Sequence, residues 1–436
     1  MKAKLCKLAV LALAAVAAMA LAVGCSSSST SSSSSSSGEF KAALDTSKDV
    51  TISVVGNYSN FEALEAQFEE FNKIYPNVSL SYTKLDDYNT AVLQALNASE
   101  GAPDIFMAGT YVLDNPKFSE LASMAEDLSQ TDVQLDNIAS GLIYASSDGA
   151  KVAMPVVGIT YCMVVNEDLL AKYDLKVPTT YEELMNCCKV LKENGIDAPI
   201  QGADIANGLY TSFVGNYAFY QLCADESAQK AILNGESGCG EALRSSLQIV
   251  ADLVDSGYID YDANAASKDN YDKAILNFFE GDVPFLITNT DTVSGMAKRE
   301  SQSDAYKANS FTYSCNLVPV TNEGSYFYMR WGSALCVNKK SANIDYANEF
   351  MRFLSQKSAL DELSAAKGAP SVTGDYATNS IYASLAKADS SRTAYYNECL
   401  LGDVQQTAIR NAMLAVGTGT SVDDAIAAFE SELAAS

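Results

Sequence analysis

The sequence predicts an α/β protein of two lobes, each a mainly parallel sheet flanked by helices. Short β-branched strand patterns alternate with amphipathic helix patterns from residue 51 onward, which is typical of a parallel α/β layer. The same alternation restarts near residue 161. Without its N-terminal segment the chain keeps about 390 residues, more than one usual domain holds. Because 48% of the residues are hydrophobic, two cores can be filled.

The N-terminus has the pattern of an export signal. Three lysines precede an apolar run, 8–23, which ends at Gly24-Cys25 before a serine-rich stretch. A Cys directly after the cut, followed by a polar tether, resembles the bacterial lipoprotein signal, in which this Cys is acylated. The run is shorter than the roughly 18 residues of a membrane-spanning helix, which disfavours an uncleaved anchor. We expect a signal peptide over 1–24 and a lipidated Cys25 with its tether over 25–47, at the extracellular face of the bacterial cell membrane.

The composition excludes several classes of function. The formal net charge of −25 at pH 7 repels phosphate backbones, so nucleic acid is not an expected partner. The chain has no histidine, which removes Ser-His-Asp and Cys-His catalysis and His-ligated zinc. A glycosidase with two carboxylates needs only Asp and Glu and stays open. We expect no metal and no cofactor.

Ten cysteines occur, of which Cys6 leaves with the signal and Cys25 carries the lipid. The remaining eight form no CxxC pair, which disfavours zinc and thioredoxin chemistry. Their even number and an oxidising compartment allow disulfides, but a chain of this length does not need them. We interpret most of them as small buried hydrophobic residues and leave any pairing open.

The first α/β unit begins directly after the tether. A β-branched strand over 51–55 ends at Gly56-Asn57, and Ser59 stands three residues before Glu62 in a capping-box pattern. A helix follows, because aromatic and apolar residues recur at steps of three and four until Pro76. Later patterns predict a strand over 78–82, a helix over 88–97 and a strand over 104–108.

The second unit opens with a strand over 161–165, inside a hydrophobic stretch, 152–165, that we interpret as buried strand. Thr180 and Glu183 form a second capping-box pattern, at the start of a helix that ends near Asn194. Later segments predict strands over 283–288, 312–320 and 334–337, and mostly helix over 344–363 and 404–435.

With these elements in order, the chain resembles the extracellular solute-binding proteins of ABC importers, specifically the carbohydrate-associated family 1 that includes a maltose-binding protein. The resemblance covers residues 50–435, and its motifs are weak singly but strong in their order and spacing. The matching segments are the aromatic helix that ends at Tyr75-Pro76, Gly101-Ala102-Pro103-Asp104-Ile105-Phe106, Met154-Pro155 with Val165-Asn166-Glu167-Asp168-Leu169, Val177-Pro178-Thr179-Thr180-Tyr181-Glu182-Glu183-Leu184, and Phe278-Phe279-Glu280-Gly281-Asp282.

The resemblance implies a periplasmic-binding-protein-like fold with a ligand cleft between lobes that close about a hinge. It places lobe 1 at 48–157 plus 336–388 and lobe 2 at 158–335 plus 389–436. It also implies a monomeric receptor that performs no chemistry, captures a sugar or oligosaccharide, and delivers it to the permease subunits of an ABC transporter. The expected hinge crossings lie near 156–160, 333–337 and 385–393.

A sugar needs hydrogen-bond partners for its hydroxyls and aromatic rings for its C–H faces, so polar and aromatic side chains at strand ends are the candidate contacts. Trp331, the one tryptophan of the chain, is the expected stacking platform, although a core position is its structural alternative. The family places an aromatic residue near Asn289, where this chain has none. The other candidates are Asn57, Tyr58, Thr110, Tyr111, Tyr161, Tyr210, Asn216, Asp291 and Arg330.

Three other functions stay open from the sequence. An acidic cleft would also suit a cationic solute such as a polyamine. Two cleft carboxylates at catalytic separation would make a cell-surface glycosidase, although the sequence singles out no such pair. A sensor subunit that feeds a histidine kinase would have the same fold.

Overall fold

A computed structural model describes residues 40–59, 61–108, 117–146, 148–202, 216–259, 271–378, 380–395 and 401–435. Cys25 and the predicted signal peptide lie outside these ranges, so both stay predictions. Within these ranges, no helix is long and apolar enough to cross a membrane.

The strands follow the predicted alternation with helices, and several are longer than their sequence patterns. The hydrophobic stretch over 152–165 is a buried strand, as predicted. The strands are β1 (Val50–Gly56), β2 (Val78–Lys84), β3 (Ile105–Ala108), β4 (Met154–Asn166), β5 (Ile200–Gly202), β6 (Phe285–Asn289), β7 (Tyr313–Asn316), β8 (Pro319–Thr321), β9 (Gly324–Ser325), β10 (Phe327–Val337) and β11 (Thr393–Tyr395).

One sheet runs in the order β2-β1-β3-β10-β4-β6-β5, with β11 beside β10 and β7 beside β4. Its outer strands are parallel: β1 pairs with β2 and β3, and β5 pairs with β6. The long strands β4 and β10 are antiparallel to each other and to their neighbours β6 and β3. The predicted α/β class, with helices flanking a sheet whose outer strands are parallel, is confirmed.

Strands β4 and β10 connect the two ends of this sheet. Met154, at the start of β4, pairs with the end of β10, whereas Tyr161 and the residues after it pair with β6. We call β2-β1-β3 with its helices the first half of the sheet and β6-β5 with its helices the second half. Residues 42–436 form one compact unit, so the lobe boundaries and hinge crossings stay a prediction.

Helices cover both halves. The helices are α1 (Glu62–Asn72), α2 (Tyr88–Leu96), α3 (Lys117–Met124), α4 (Glu167–Ala171), α5 (Tyr181–Glu193), α6 (Asn216–Ala224), α7 (Glu226–Leu233), α8 (Arg244–Asp255), α9 (Tyr271–Phe279), α10 (Thr290–Ser294), α11 (Met296–Glu300), α12 (Asp304–Ala308), α13 (Ile344–Leu354), α14 (Lys357–Lys367), α15 (Asp403–Gly417) and α16 (Val422–Ala435). In the first half α1 packs against α13 and α14, and in the second half α15 packs against α8 and α16.

The two predicted capping boxes differ in the structure. The capping box at Thr180 and Glu183 is confirmed, because both of its hydrogen bonds are present. The one predicted at Ser59 is wrong: Phe61 is the N-cap residue of α1, and its buried ring packs edge-on against Tyr58. The helical stretch over 344–363 is two helices, because Gln356 has extended backbone dihedrals.

A buried ion pair lies in the first half. Arg352 of α13 donates from two nitrogens to the Glu349 carboxylate, each at 2.8 Å. Tyr75, after α1, donates its hydroxyl hydrogen to the same carboxylate, and the backbone N–H of Ala43 donates to it at 3.0 Å. Both oxygens of a carboxylate that is 5% exposed are therefore hydrogen-bonded.

The interpretation of the cysteines as buried hydrophobic residues holds for six of them. Burial raises the pKa of the Cys187 thiol to about 11, so this thiol is protonated at neutral pH. Cys399 lies outside the described residues. The buried free thiols are Cys162, Cys187, Cys188, Cys239, Cys315 and Cys336.

Candidate ligand-binding site

Predicted contacts from both halves of the sheet come together at residues 330–333 of β10. The Tyr58 hydroxyl, after β1, is 2.8 Å from the Ser333 Oγ. On the other side of β10, the Arg330 guanidinium carbon lies 5.8 Å from the centre of the Tyr161 ring. Asn289, at the end of β6, pairs with Tyr161. The antiparallel β4–β10 pair brings Arg330 beside Tyr161, although the two residues are far apart in sequence.

Close packing at the end of β1 fixes the backbone position of Tyr58. A Cβ atom at Gly56 would clash with the Met107 Sδ and the Tyr82 hydroxyl, so a larger residue there would have to displace both side chains. The Tyr82 hydroxyl donates to the Tyr58 carbonyl at 3.2 Å, and burial raises its pKa to about 12, which keeps it protonated. The Lys367 ammonium lies 4.5 Å from the Tyr58 ring centre. The aromatic face of Tyr58 therefore already has a cation beside it.

Asn289 has a structural task in addition to its predicted one. It is the N-cap residue of α10, and its side-chain oxygen accepts a hydrogen bond from the Thr292 N–H at 3.0 Å. This is the standard way in which an Asn satisfies a free N–H group at the start of a helix. Asp291 lies in the first turn of α10 and is exposed.

Arg330 and Trp331 point to opposite faces of the sheet, because they are successive residues of β10 and pair regularly with Ile159 and Gly158 of β4. The sequence alone suggested that both line one cleft, and the strand geometry does not allow them to share a face. Trp331 is fully buried, and its Nε1 has no hydrogen-bond partner among the residues described. Its role as a ligand platform stays a prediction, because both a closed cleft and a core would bury the ring.

A small cavity of about 60 Å³ lies on the Arg330 face, between β4, β10, α6 and α15. Phe219 of α6 and Tyr328 of β10 stack beside it, with ring centres 5.2 Å apart and an interplanar angle of 18°. Tyr161, Arg330, Gln406 and Arg410 also line it.

Four of these residues were not among the predicted contacts: Phe219, Tyr328, Gln406 and Arg410. Tyr328 could have been found, because it stands two residues before Arg330 and so shares its face. Arg410 had no comparable signal, since a helix 80 residues further on brings it here.

A larger cavity, of about 590 Å³, lies against β7 and the β8–β9 hairpin and is lined by none of the predicted contacts. Its polar residues bond to one another: the Ser314 hydroxyl donates to Glu167 at 2.5 Å, and the Ser384 hydroxyl donates to the Cys315 carbonyl. We therefore place the candidate site at residues 330–333 of β10.

Four of the other predicted contacts cannot be placed. Thr110, Tyr111 and Tyr210 lie outside the described residues, as does the side chain of Asn216, the first residue of α6. Over the described ranges, no group of three Cys, Asp or Glu side chains could hold a metal ion.

Solved structures with the same fold include several binding proteins. The GacH receptor of Streptomyces glaucescens, solved unliganded and with acarbose, matches with a TM-score of 0.65 and 19% identity over 88% of this chain and 97% of its own. The cyclic α-maltosyl-1,6-maltose binding protein of Arthrobacter globiformis matches with a TM-score of 0.64 and 18% identity, over 89% of this chain and 99% of its own. A sugar transporter of Bacillus licheniformis, solved in complex with stachyose, matches with a TM-score of 0.57 and 18% identity, over 88% of this chain and 98% of its own.

Sequence comparison gives the family. No curated protein sequence matches the chain. The family model described as bacterial extracellular solute-binding protein matches residues 66–389, which is most of the chain and includes β2 to β10. The chain therefore belongs to the bacterial extracellular solute-binding proteins.

Proposed function

We propose that this protein is a lipid-anchored receptor that captures a sugar or oligosaccharide by closure of two lobes and delivers it to an ABC permease. The observation that carries the proposal is the meeting of Tyr58, Ser333, Arg330 and Tyr161 at one stretch of β10. Residues from both halves of the sheet would thus contact one ligand, which is how a ligand can favour closure.

The chemistry of the site favours a saccharide. The half-buried ring of Tyr161 offers a surface to a C–H face of a sugar, and the guanidinium of Arg330 offers donors to its oxygens. Proteins of the same fold were solved with acarbose and stachyose. The lobes would be 48–157 plus 336–388 and 158–335 plus 389–436, with β4 and β10 as two of the hinge crossings.

The anchor and the tether fit delivery to a membrane partner. A flexible tether of about 22 residues has an r.m.s. span of about 25 Å, which lets the receptor reach a permease without leaving the membrane surface. Cys25→Ala is expected to abolish lipid labelling and release the protein into the medium. Retention of this variant on the membrane after signal cleavage contradicts the lipid anchor.

The receptor function is tested on the mature chain with a panel of saccharides, amino acids and spermidine. A bound saccharide is expected to raise the thermal midpoint by mass action, and saturation is expected to lower the radius of gyration in small-angle scattering. Spermidine as the stabilising solute, or saccharide binding at an unchanged radius of gyration, contradicts the proposal.

A further inference from the structure

The charged side chains at the small cavity beside Tyr161 are arginines. Arg330 of β10 and Arg410 of α15 both line the cavity, and none of the described lining residues is acidic. The whole chain has 54 acidic and 29 basic residues, so two arginines and no described acid at one cavity run against its composition. A cationic solute would be repelled by this pair, whereas an anionic group would be attracted.

Arg330 also has an N–H group that the described protein does not use. Its Nε is buried and has no hydrogen-bond partner in the described part of the chain. Neither Arg330 nor Arg410 takes part in an ion pair between described residues. The contact of Arg330 with the Tyr161 ring face satisfies part of its charge, but a ring face is a poor acceptor for the Nε–H bond. Buried donors of this kind normally have an acceptor, which here has to come from elsewhere.

The cavity limits the size of that acceptor. A volume of about 60 Å³ holds a few non-hydrogen atoms, which is enough for a small end group but not for a sugar ring. The stacked rings of Phe219 and Tyr328 form one wall of the cavity. A carboxylate is planar, carries two oxygens and matches the fork of an arginine in two parallel hydrogen bonds.

We propose that the ligand is a saccharide that carries a carboxylate, as a uronic acid does, and that this carboxylate enters the cavity and binds Arg330, with Arg410 at the cavity mouth. The inference rests on the proposed saccharide receptor and adds the group by which it selects among saccharides. A sulfate ester shares the negative oxygens but is tetrahedral, so it serves as a separate arm of the test.

The test is isothermal titration calorimetry on the mature chain with matched di- and trisaccharides, galacturonate against galactose and glucuronate against glucose, together with a sulfated galactose oligomer. The members of each pair differ at C6, which is a carboxylate or a hydroxymethyl group. One uronate series is expected to bind about 10- to 100-fold more tightly than its neutral partner, the range of one charge-assisted hydrogen-bond pair.

Arg330→Gln is expected to remove this preference, and Arg330→Lys to keep part of it, because the charge remains while the fork is lost. Arg410→Gln is expected to weaken the binding of uronates more than the binding of neutral saccharides. Because Arg410 is exposed, this variant keeps the proposal testable even if Arg330→Gln fails to fold. Arg244→Gln is the control, since Arg244 lies on α8 and bonds to Glu241 and Asp423. Its uronate preference is expected to equal that of the wild type.

The outcomes separate the two proposals. Neutral saccharides that bind as tightly as the uronates, or an Arg330→Gln variant that keeps the uronate preference, overturn the carboxylate proposal alone. Binding of the sulfated oligomer without the uronates also overturns it. If no saccharide of any series binds, the receptor function and this inference fail together.

Discussion

Buried polar groups in two regions of this protein differ in how fully their hydrogen bonds are satisfied within the chain. In the first half of the sheet, the Glu349 carboxylate accepts hydrogen bonds from Arg352, Tyr75 and the Ala43 N–H. On β10, the Arg330 Nε and the Trp331 Nε1 are equally buried, and neither has a partner among the residues described. All three groups are buried, so burial alone does not distinguish them.

The difference separates a cluster whose polar atoms are satisfied within the chain from two groups that lack a partner among the described residues. A buried polar group with all its partners is part of the folded structure, whereas one without partners destabilises the fold and is retained where function needs it. Changes at Glu349 should therefore alter the free energy of unfolding and leave ligand affinity alone. Changes at Arg330, which lines the small cavity, should do the reverse.

The largest effect is expected from breaking the satisfied cluster. Arg352→Met leaves the Glu349 carboxylate, 5% exposed, buried without its main partner. Such a change costs about 3–5 kcal/mol of unfolding free energy in comparable buried pairs. Urea denaturation measures this loss, and saccharide affinity is expected to stay at the wild-type value.

Arg244→Met is the matched control, because its ion pairs with Glu241 and Asp423 are exposed and exposed pairs add little stability. Its denaturation midpoint is expected to stay near that of the wild type. Equal midpoints for Arg352→Met and Arg244→Met would remove the distinction between the two clusters.

A smaller effect is expected from Trp331→Phe, which keeps an aromatic ring and removes the unsatisfied N–H group. If Trp331 meets the ligand, Kd is expected to rise about tenfold, which is about 1.4 kcal/mol. The free energy of unfolding should fall little, because loss of volume is offset by removal of a donor without an acceptor. Phe327→Leu, another buried aromatic of β10, is the control and should lower only the denaturation midpoint. Unchanged affinity in Trp331→Phe assigns Trp331 to the core.

The sequence was most informative where a local pattern decides the structure. The Thr180–Glu183 capping box formed because both of its hydrogen bonds are local. The same pattern at Ser59 did not form a capping box, because the helix begins after Phe61, whose side chain is buried in the core. That burial depends on tertiary packing, which a local sequence pattern does not predict. Single strand patterns were found, but their true lengths were not, since β4 continues from one half of the sheet into the other.

The candidate site was predictable in part for the same reason. Tyr58, Tyr161 and Arg330 were selected because polar and aromatic residues stand at strand ends, and the strand pairing brings them together. That Arg330 and Trp331 face opposite sides follows from the strand period, and the sequence would have shown it had the start of β10 been recognised. Arg410 reaches the cavity through packing of α15, which depends on the whole fold.

The smallest expected effect is a pH dependence of the satisfied cluster. Burial by itself would raise the pKa of Glu349, but hydrogen bonds from Arg352, Tyr75 and the Ala43 N–H outweigh it and hold the pKa below its usual value. Because the pKa of the folded state lies below that of the unfolded state, which is about 4.3, the carboxylate stabilises the fold above that pH. This contribution is lost as the pH falls through the lower pKa of the folded state.

The stability difference between the wild type and Glu349→Gln should therefore be greatest at neutral pH and narrow as the pH falls below about 4.3. Urea denaturation of both proteins at a series of pH values measures it, with Glu69→Gln, an exposed change on α1, as the control. A stability difference that stays constant across the pH series would mean that the Glu349 carboxylate does not stabilise the fold through its charge. The Arg352 contact would then act through packing of its side chain, and the contrast with Arg330 would rest on shape rather than on electrostatics.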